Sequence, residues 1–167
     1  ISMLDNFDYE NYDIDLMLYS HSGDLMKLLP NKPNLLSENK KYKTFRLSIV
    51  QTLKRGNIAI TIARLLARYD AKKFANKNNL NDSGCIQMQY MWKYALPFLP
   101  KLEKEYDVAI SYLWPHYFIA DKVKAKTKIA WIHTDYSKID TDIETDLEMW
   151  NKFDYIVAVS KDCKAAF

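Results

Sequence analysis

The stretch from Asp107 to Ser160 contains three short apolar runs, Asp107-Val-Ala-Ile-Ser-Tyr112, Lys128-Ile-Ala-Trp-Ile132 and Tyr155-Ile-Val-Ala-Val159. Each run is apolar on both faces, which is typical of a strand buried between two layers of helices. Segments with a helical pattern separate the runs, as in the right-handed βαβ units of a parallel sheet. The stretch therefore predicts an α/β fold, with a Rossmann-like parallel sheet and helices on both of its faces.

Polar residues that follow these runs are expected to gather at one edge of the sheet, beyond the carboxyl ends of the strands. Open α/β sheets bind their ligands at that edge. The sequence predicts six candidate site residues there: Trp114, His116, His133, Asp135, Tyr136 and Ser160. An aromatic residue followed by Asp stands at the head of three predicted strands, as Tyr12-Asp13, Tyr106-Asp107 and Phe153-Asp154. Such an Asp can close the loop that enters a strand.

The part of the chain before Asp107 has a more mixed pattern. Residues 13–19 are expected to form a strand, residues 34–37 a very short strand, and residues 45–74 a long helix. Gly56 is expected to kink or divide that helix. Its large apolar residues recur at helical spacing, which predicts the face turned to the core. These residues are Leu47, Val50, Leu53, Ile58, Ile62, Leu65, Leu66 and Tyr69.

Composition narrows the class of protein. The 167 residues are 49% hydrophobic and 14% aromatic, which is enough for one ordered domain with a core. Three isolated glycines make no Gly-x-Gly-x-x-Gly or phosphate-loop pattern. Cys85 and Cys163 lack metal-ligand spacing and are interpreted as reduced thiols. No segment resembles a signal peptide or a membrane span, so a cytoplasmic location is expected.

Charge is distributed unevenly around a net value of +3. Between Lys40 and Lys77 there are eleven Lys or Arg and one acid, so this segment carries about +10 and the rest about −7. Within it, Arg64, Arg68 and Lys72 form one stripe at helical spacing. The stripe has three possible interpretations. It is a surface that docks on an anionic membrane, a surface that binds nucleic acid, or a solvated helix face. No nucleic-acid motif is present, so nucleic acid is not expected as a partner.

Two segments of the chain resemble retaining glycosyltransferases of family 4. They are Lys128-Ile-Ala-Trp-Ile-His133-Thr-Asp135-Tyr and Phe153-Asp-Tyr-Ile-Val-Ala-Val-Ser160-Lys-Asp-Cys-Lys164. The opening Leu4-Asp-Asn-Phe-Asp-Tyr-Glu-Asn-Tyr-Asp-Ile-Asp-Leu16 is similar to the end of that family's first helix and its second strand. The resemblance is to the amino-terminal half of bacterial capsule and lipopolysaccharide transferases. It covers nearly the whole chain, and residues 38–85 are similar in general character only.

This resemblance implies a GT-B architecture, in which the amino-terminal domain takes the acceptor and a second domain takes the nucleotide sugar. His133 matches the family's histidine that contacts the donor sugar, while Asp135 and Tyr136 would line the acceptor side. The glycine turn and the donor-binding domain of the family have no counterpart in residues 1–167. We therefore expect a single Rossmann-like domain, truncated at both ends and inactive alone. No resident cofactor or metal is expected, because the donor is a co-substrate.

Several of these residues have a second interpretation. His116 either touches the acceptor or is an exposed residue at the start of a helix. Trp114 either stacks on the acceptor or is a packing residue. Ser160 is interpreted as a helix N-cap at the donor-side cleft. Four acids, Asp140, Asp142, Glu144 and Asp146, are interpreted as helix-surface charges rather than as a metal site.

Three functions remain open from the sequence. The first is the acceptor-side domain of a glycosyltransferase that moves a sugar from a nucleotide-sugar donor to a glycan or lipid-linked acceptor. The second is a non-catalytic Rossmann-like or flavodoxin-like binding module. The third is a basic interaction domain for a membrane or a nucleic acid. The first function and the basic stripe together predict peripheral association with the inner membrane face.

Overall fold

The computed structural model describes residues 1–167, which divide into two compact units, Ile1–Asn57 and Ile58–Phe167. The first unit contains only short elements. In chain order they are helix α1 (Ser2–Asp5), strand β1 (Asp15–Leu16), a 3-10 helix (Asp24–Leu28), strand β2 (Asn34–Leu35), a 3-10 helix (Tyr42–Arg46) and helix α2 (Ile49–Lys54). β1 and β2 pair in parallel. The strand predicted over residues 13–19 is therefore shorter than expected, and the very short second strand is confirmed.

The second unit carries the remaining helices and strands. In chain order they are helix α3 (Ile58–Lys77), helix α4 (Gly84–Ala95), a 3-10 helix (Leu96–Phe98), strand β3 (Glu105–Ser111), helix α5 (Tyr117–Lys122), strand β4 (Lys124–Ile132), a 3-10 helix (Tyr136–Lys138), helix α6 (Ile143–Trp150), strand β5 (Tyr155–Ala158) and helix α7 (Lys161–Ala166). The predicted long helix is divided at Gly56, whose φ of +77° is a left-handed conformation that glycine adopts without a steric penalty.

The three apolar runs form one parallel sheet in the order β3-β4-β5. Ala109 of β3 pairs with Lys128 of β4, and Ala130 of β4 pairs with Ile156 of β5. Helices connect consecutive strands, so the unit is an α/β fold with a Rossmann-like parallel sheet. The fold class predicted from the sequence is confirmed.

The aromatic-Asp pairs Tyr106-Asp107 and Phe153-Asp154 have different roles in the structure. Asp154 directly precedes β5, and its Oδ2 accepts a hydrogen bond of 2.8 Å from the backbone N–H of Lys128. It therefore ties the start of β5 to β4. Asp107 lies inside β3 instead, where it forms an exposed ion pair of 2.7 Å with Lys126 of β4. The expected loop-closing role of Asp107 is wrong, because β3 begins two residues earlier, at Glu105.

Helix α3 packs on α4 through small side chains. Ala63, Ala67, Ala71 and Ala75 recur every four residues and are all buried. Ala67 and Ala71 join Ile86 and Tyr90 of α4 in one core cluster, which Phe74, Leu80, Met91 and Tyr94 complete. The predicted core face of this helix is wrong, because five of the residues expected on it are half or more exposed: Ile58, Ile62, Leu65, Leu66 and Tyr69. The methyl groups of alanine let the two helix backbones approach closely, so this face fills the core instead.

Candidate functional site

The polar residues after β4 and β5 leave the same edge of the sheet. His133 directly follows β4, and Ser160 lies two residues beyond the end of β5. The backbone N–H of Val159 donates a hydrogen bond of 3.3 Å to the carbonyl of Ile132, which holds the two strand ends together. The predicted placement of His133 and Ser160 at one edge is confirmed, since the strands are parallel neighbours.

His133 is exposed and belongs to a small aromatic surface at this edge. Its ring centroid lies 4.5 Å from that of Tyr112 and 6.1 Å from that of Trp131. The Tyr112 side chain, just beyond β3, is 50% exposed. We call Tyr112, Trp131 and His133 the aromatic platform. Such a platform combines apolar ring faces with the hydrogen-bonding atoms of an imidazole and a phenol.

Tyr112 was missed as a site residue by the sequence analysis. It stands at the end of the first apolar run, and that position predicts the last residue of a buried strand. The strand ends at Ser111, so Tyr112 is the first residue of the loop. Its position at the carboxyl end of a run is the same signal that identified His133 after the next strand.

Trp114 and Tyr136 converge on a buried carboxylate instead of pointing their polar atoms at the surface. The Nε1 of Trp114 donates to Asp146 Oδ1 at 3.0 Å, and the hydroxyl of Tyr136 donates to Oδ2 at 3.1 Å. The Nε1 of Trp150 donates to the same Oδ2 at 3.0 Å. We call these four residues the Asp146 cluster. It joins the loops that follow β3 and β4 to helix α6.

Asp146 corrects one sequence interpretation. It was expected to be a helix-surface acid, but it is only 4% exposed. Burial, together with the nearby Asp146 carboxylate, raises the pKa of Tyr136 well above its usual range. Tyr136 therefore stays protonated and remains a hydrogen-bond donor to the carboxylate. The cluster is a largely buried polar network, with Asp146 and Trp150 buried and Trp114 and Tyr136 partly buried. It fixes the shape of the loops around the platform.

His116 is fully buried, so its ring offers no exposed atom to an acceptor, contrary to the expectation from the sequence. Its Nδ1 lies 2.7 Å from Ser111 Oγ, at hydrogen-bonding distance. The ring packs edge-on against Trp150 and Phe153, with centroids 4.7 and 5.7 Å away. Burial, with a smaller contribution from His133, lowers the pKa of His116 to about 3. The imidazole is therefore neutral and supports the end of β3 from inside.

The burial of His116 predicts how stability depends on pH. Between pH values of about 6.5 and 3 the unfolded chain binds a proton at His116 and the folded chain does not, so acidification destabilises the fold. From pH 7 to pH 5 this group should remove about 2 kcal/mol from the free energy of unfolding. Urea titrations at pH 7 and pH 5 measure the free energy of unfolding at each pH. On going from pH 7 to pH 5, this free energy should fall by about 2 kcal/mol less in His116→Asn than in the unsubstituted chain. An equal loss in both proteins would contradict the assignment of His116 as a buried neutral group.

Asp135 and Ser160 both act as local caps. The Asp135 carboxylate accepts hydrogen bonds from the Ser137 hydroxyl at 2.6 Å and from the Ser137 backbone N–H at 3.1 Å, and Lys138 lies 3.1 Å away. The hydrogen bonds of Ser137, followed by that of Lys138, hold the pKa of Asp135 below its usual range. Ser160 Oγ accepts from the N–H of Cys163 at 3.1 Å, which confirms its predicted role as the N-cap of α7.

An open groove of about 360 Å³ lies between α3 and α4, and it is lined by Asp70, Lys73, Phe74, Lys77, Tyr90 and Tyr94. Cys85 and Cys163 are free. No three His, Cys, Asp or Glu side chains come together in a group suited to a metal ion. Among the helices, none has both the length and the apolar composition that crossing a bilayer requires.

Comparison with known proteins adds no relative: no protein-family model, curated protein or solved structure matches this chain.

Proposed function

We propose that this chain is the acceptor-side domain of a retaining glycosyltransferase similar to family 4, with a GT-B architecture. The whole enzyme moves a sugar from a nucleotide-sugar donor to a glycan or lipid-linked acceptor. The observation that carries the proposal is the aromatic platform at the carboxyl edge of the parallel sheet, where the exposed His133 lies 4.5 Å from the half-exposed ring of Tyr112. Open α/β sheets bind ligands at this edge.

The chemistry of the platform suits a sugar. The apolar face of a pyranose packs on an aromatic ring, and its hydroxyl groups need donors and acceptors at the rim. Tyr112 supplies a ring and a phenolic hydroxyl, and His133 supplies ring nitrogens. His133 contacts the donor sugar in this proposal and positions it for transfer. Trp114 and Tyr136 shape the acceptor side through the Asp146 cluster, and Asp135 does so by holding the start of the following 3-10 helix.

The transferred sugar passes through an oxocarbenium-like state while the diphosphate leaves with developing negative charge. That charge requires Lys or Arg side chains, helix N-termini and backbone N–H groups. In the proposed GT-B arrangement these groups belong to the donor-binding half. The present chain contributes the acceptor surface and His133.

Direct sugar binding by the 167-residue chain tests the proposal. Saturation-transfer NMR against a panel of oligosaccharides and detergent-solubilised glycolipids should show contact with sugar-ring protons. Tyr112→Ala should weaken this binding by about tenfold, the scale of one lost aromatic stacking contact. Tyr155→Ala is the matched control, because Tyr155 is an exposed tyrosine at the opposite, amino end of β5. If no sugar showed saturation transfer from the protein, or if Tyr155→Ala lost as much binding as Tyr112→Ala, the platform would be rejected as a sugar-binding site.

A further inference from the structure

The outward face of helix α3 is apolar over its first three turns. Five large side chains are 50 to 67% exposed: Ile58, Ile62, Leu65, Leu66 and Tyr69. They recur at i, i+4, i+7, i+8 and i+11, so they form one continuous row along the helix. We call this row the apolar ridge. The opposite face of α3 is the buried alanine row, so the ridge is not part of the core.

Basic residues surround and continue the apolar ridge. Arg68, Lys72, Lys73 and Lys77 are all exposed, and Lys72 and Lys73 lie one turn beyond Tyr69. The only acid of α3 is Asp70, whose carboxylate accepts a hydrogen bond of 2.9 Å from the Tyr94 hydroxyl. Arg64 is partly buried, and burial lowers its pKa, so it contributes less to this surface than the stripe in the sequence predicts.

The combination of an exposed apolar row and positive charge restricts the partner. A nucleic acid would meet the lysines but leave the ridge in water. A second copy of the chain would cover the ridge but would bring two positive surfaces together. An anionic bilayer satisfies both features, because its acyl boundary takes the apolar side chains and its headgroups attract the lysines.

We propose that the apolar ridge of α3 docks on an anionic membrane surface. The helix lies in the plane of the membrane, with the five ridge side chains at the boundary between headgroups and acyl chains. Lys72, Lys73 and Lys77 contact lipid phosphates at the end of the same face. This inference names a partner for α3 and does not depend on the proposed glycosyl transfer.

Flotation with vesicles tests the charge requirement. The 167-residue chain should bind vesicles of phosphatidylcholine with one third phosphatidylglycerol and should be released as salt rises. The double variant Lys72→Glu and Lys73→Glu should bind at least about 30-fold more weakly, since each lysine near such a surface contributes about fivefold. Lys161→Glu with Lys164→Glu is the matched control, because both lysines are exposed on α7 and the change in net charge is the same.

A second pair of variants tests the apolar ridge. Ile62→Ser with Leu66→Ser should reduce vesicle binding by at least about tenfold, because two apolar side chains no longer enter the boundary. The control is Ile143→Ser with Leu147→Ser, which removes two exposed residues at the same spacing on α6. All four positions are at least half exposed, so circular dichroism should show an unchanged fold.

Four outcomes would overturn the inference. The first is binding to pure phosphatidylcholine vesicles as tight as binding to the anionic vesicles, and the second is a loss of binding in the control variants equal to that in the α3 variants. The third is salt-sensitive binding to duplex DNA that is tighter than binding to vesicles. The fourth is a dimer of the chain that Ile62→Ser with Leu66→Ser dissociates while vesicle binding persists. Binding lost in both α3 variants and kept in both controls would establish α3 as the docking surface.

Discussion

Replacing His133 with alanine is expected to lower the turnover of glycosyl transfer by about 10²-fold or more. The proposal gives the exposed imidazole a hydrogen bond to the donor sugar, and one positioned contact of this kind contributes on that scale. The measurement is nucleotide release from sugar nucleotides, with and without membrane extract as acceptor, by a polypeptide in which this chain is joined to a donor-binding domain. The effect should fall mainly on kcat, because the contact strengthens as the sugar moves toward the transition state.

The control is Ile143→Ala, which removes an exposed side chain at the start of α6 and should leave turnover unchanged. His133→Gln retains a hydrogen-bonding group and should keep part of the activity. Unchanged turnover in His133→Ala would reject the role of His133 while leaving the acceptor surface untested by this assay. Sugar binding by the chain without turnover in any joined protein would favour the non-catalytic binding module.

The apolar runs made the sheet predictable because a short continuous apolar run between helical segments is typical of a parallel strand, although Val108 and Ile156 are 49% and 41% exposed in the structure. Their order along the chain then fixed which ends meet, so the edge that holds His133 and Ser160 followed from connection rules alone. Cap chemistry was equally local: Ser160 is followed by three residues whose N–H groups need an acceptor, and its hydroxyl supplies one. These features depend on short segments and are therefore visible without knowledge of the tertiary packing.

The face of α3 could not be predicted because two rows along the helix have the same period. The isoleucine and leucine row and the alanine row both repeat with helical spacing, and hydrophobicity alone assigns the larger residues to the core. In the structure the alanine row is the buried one, because it packs against α4. Which row is buried depends on the partner helix, and that information lies elsewhere in the chain.

The Asp146 cluster was hidden by the acidic residues around it. Asp142 and Glu144 share its neighbourhood in sequence, and the run resembles a solvated helix start. A signal was present nonetheless, because Asp146 lies three and four residues before Met149 and Trp150, on the face of α6 that is buried. An acid at that phase of an amphipathic helix indicates a buried carboxylate with partners supplied by other segments.

Asp146→Ala is therefore expected to destabilise the fold by about 3–5 kcal/mol. The substitution leaves Trp114 Nε1 and the Tyr136 hydroxyl without their acceptor, whereas Trp150 Nε1 keeps the Tyr136 hydroxyl as an acceptor at 3.2 Å. Unsatisfied buried donors cost about 1–3 kcal/mol each. Urea unfolding followed by far-ultraviolet circular dichroism measures the loss. Glu144→Ala is the matched control, since it removes an exposed acid two residues earlier on the same helix and should change stability by less than about 0.5 kcal/mol.

Asp146→Asn separates the hydrogen bonds from the packing. The amide carbonyl can still accept, but the amide NH₂ meets donors where a carboxylate oxygen stood, so an intermediate loss is expected. The cluster joins the loop after β3, residues 112–116, to the loop after β4, residues 133–138. Asp146→Ala should therefore also speed proteolytic cleavage within these two loops, before global unfolding. A stable Asp146→Ala protein with unchanged protease resistance would mean that these loops are held by contacts other than the buried carboxylate.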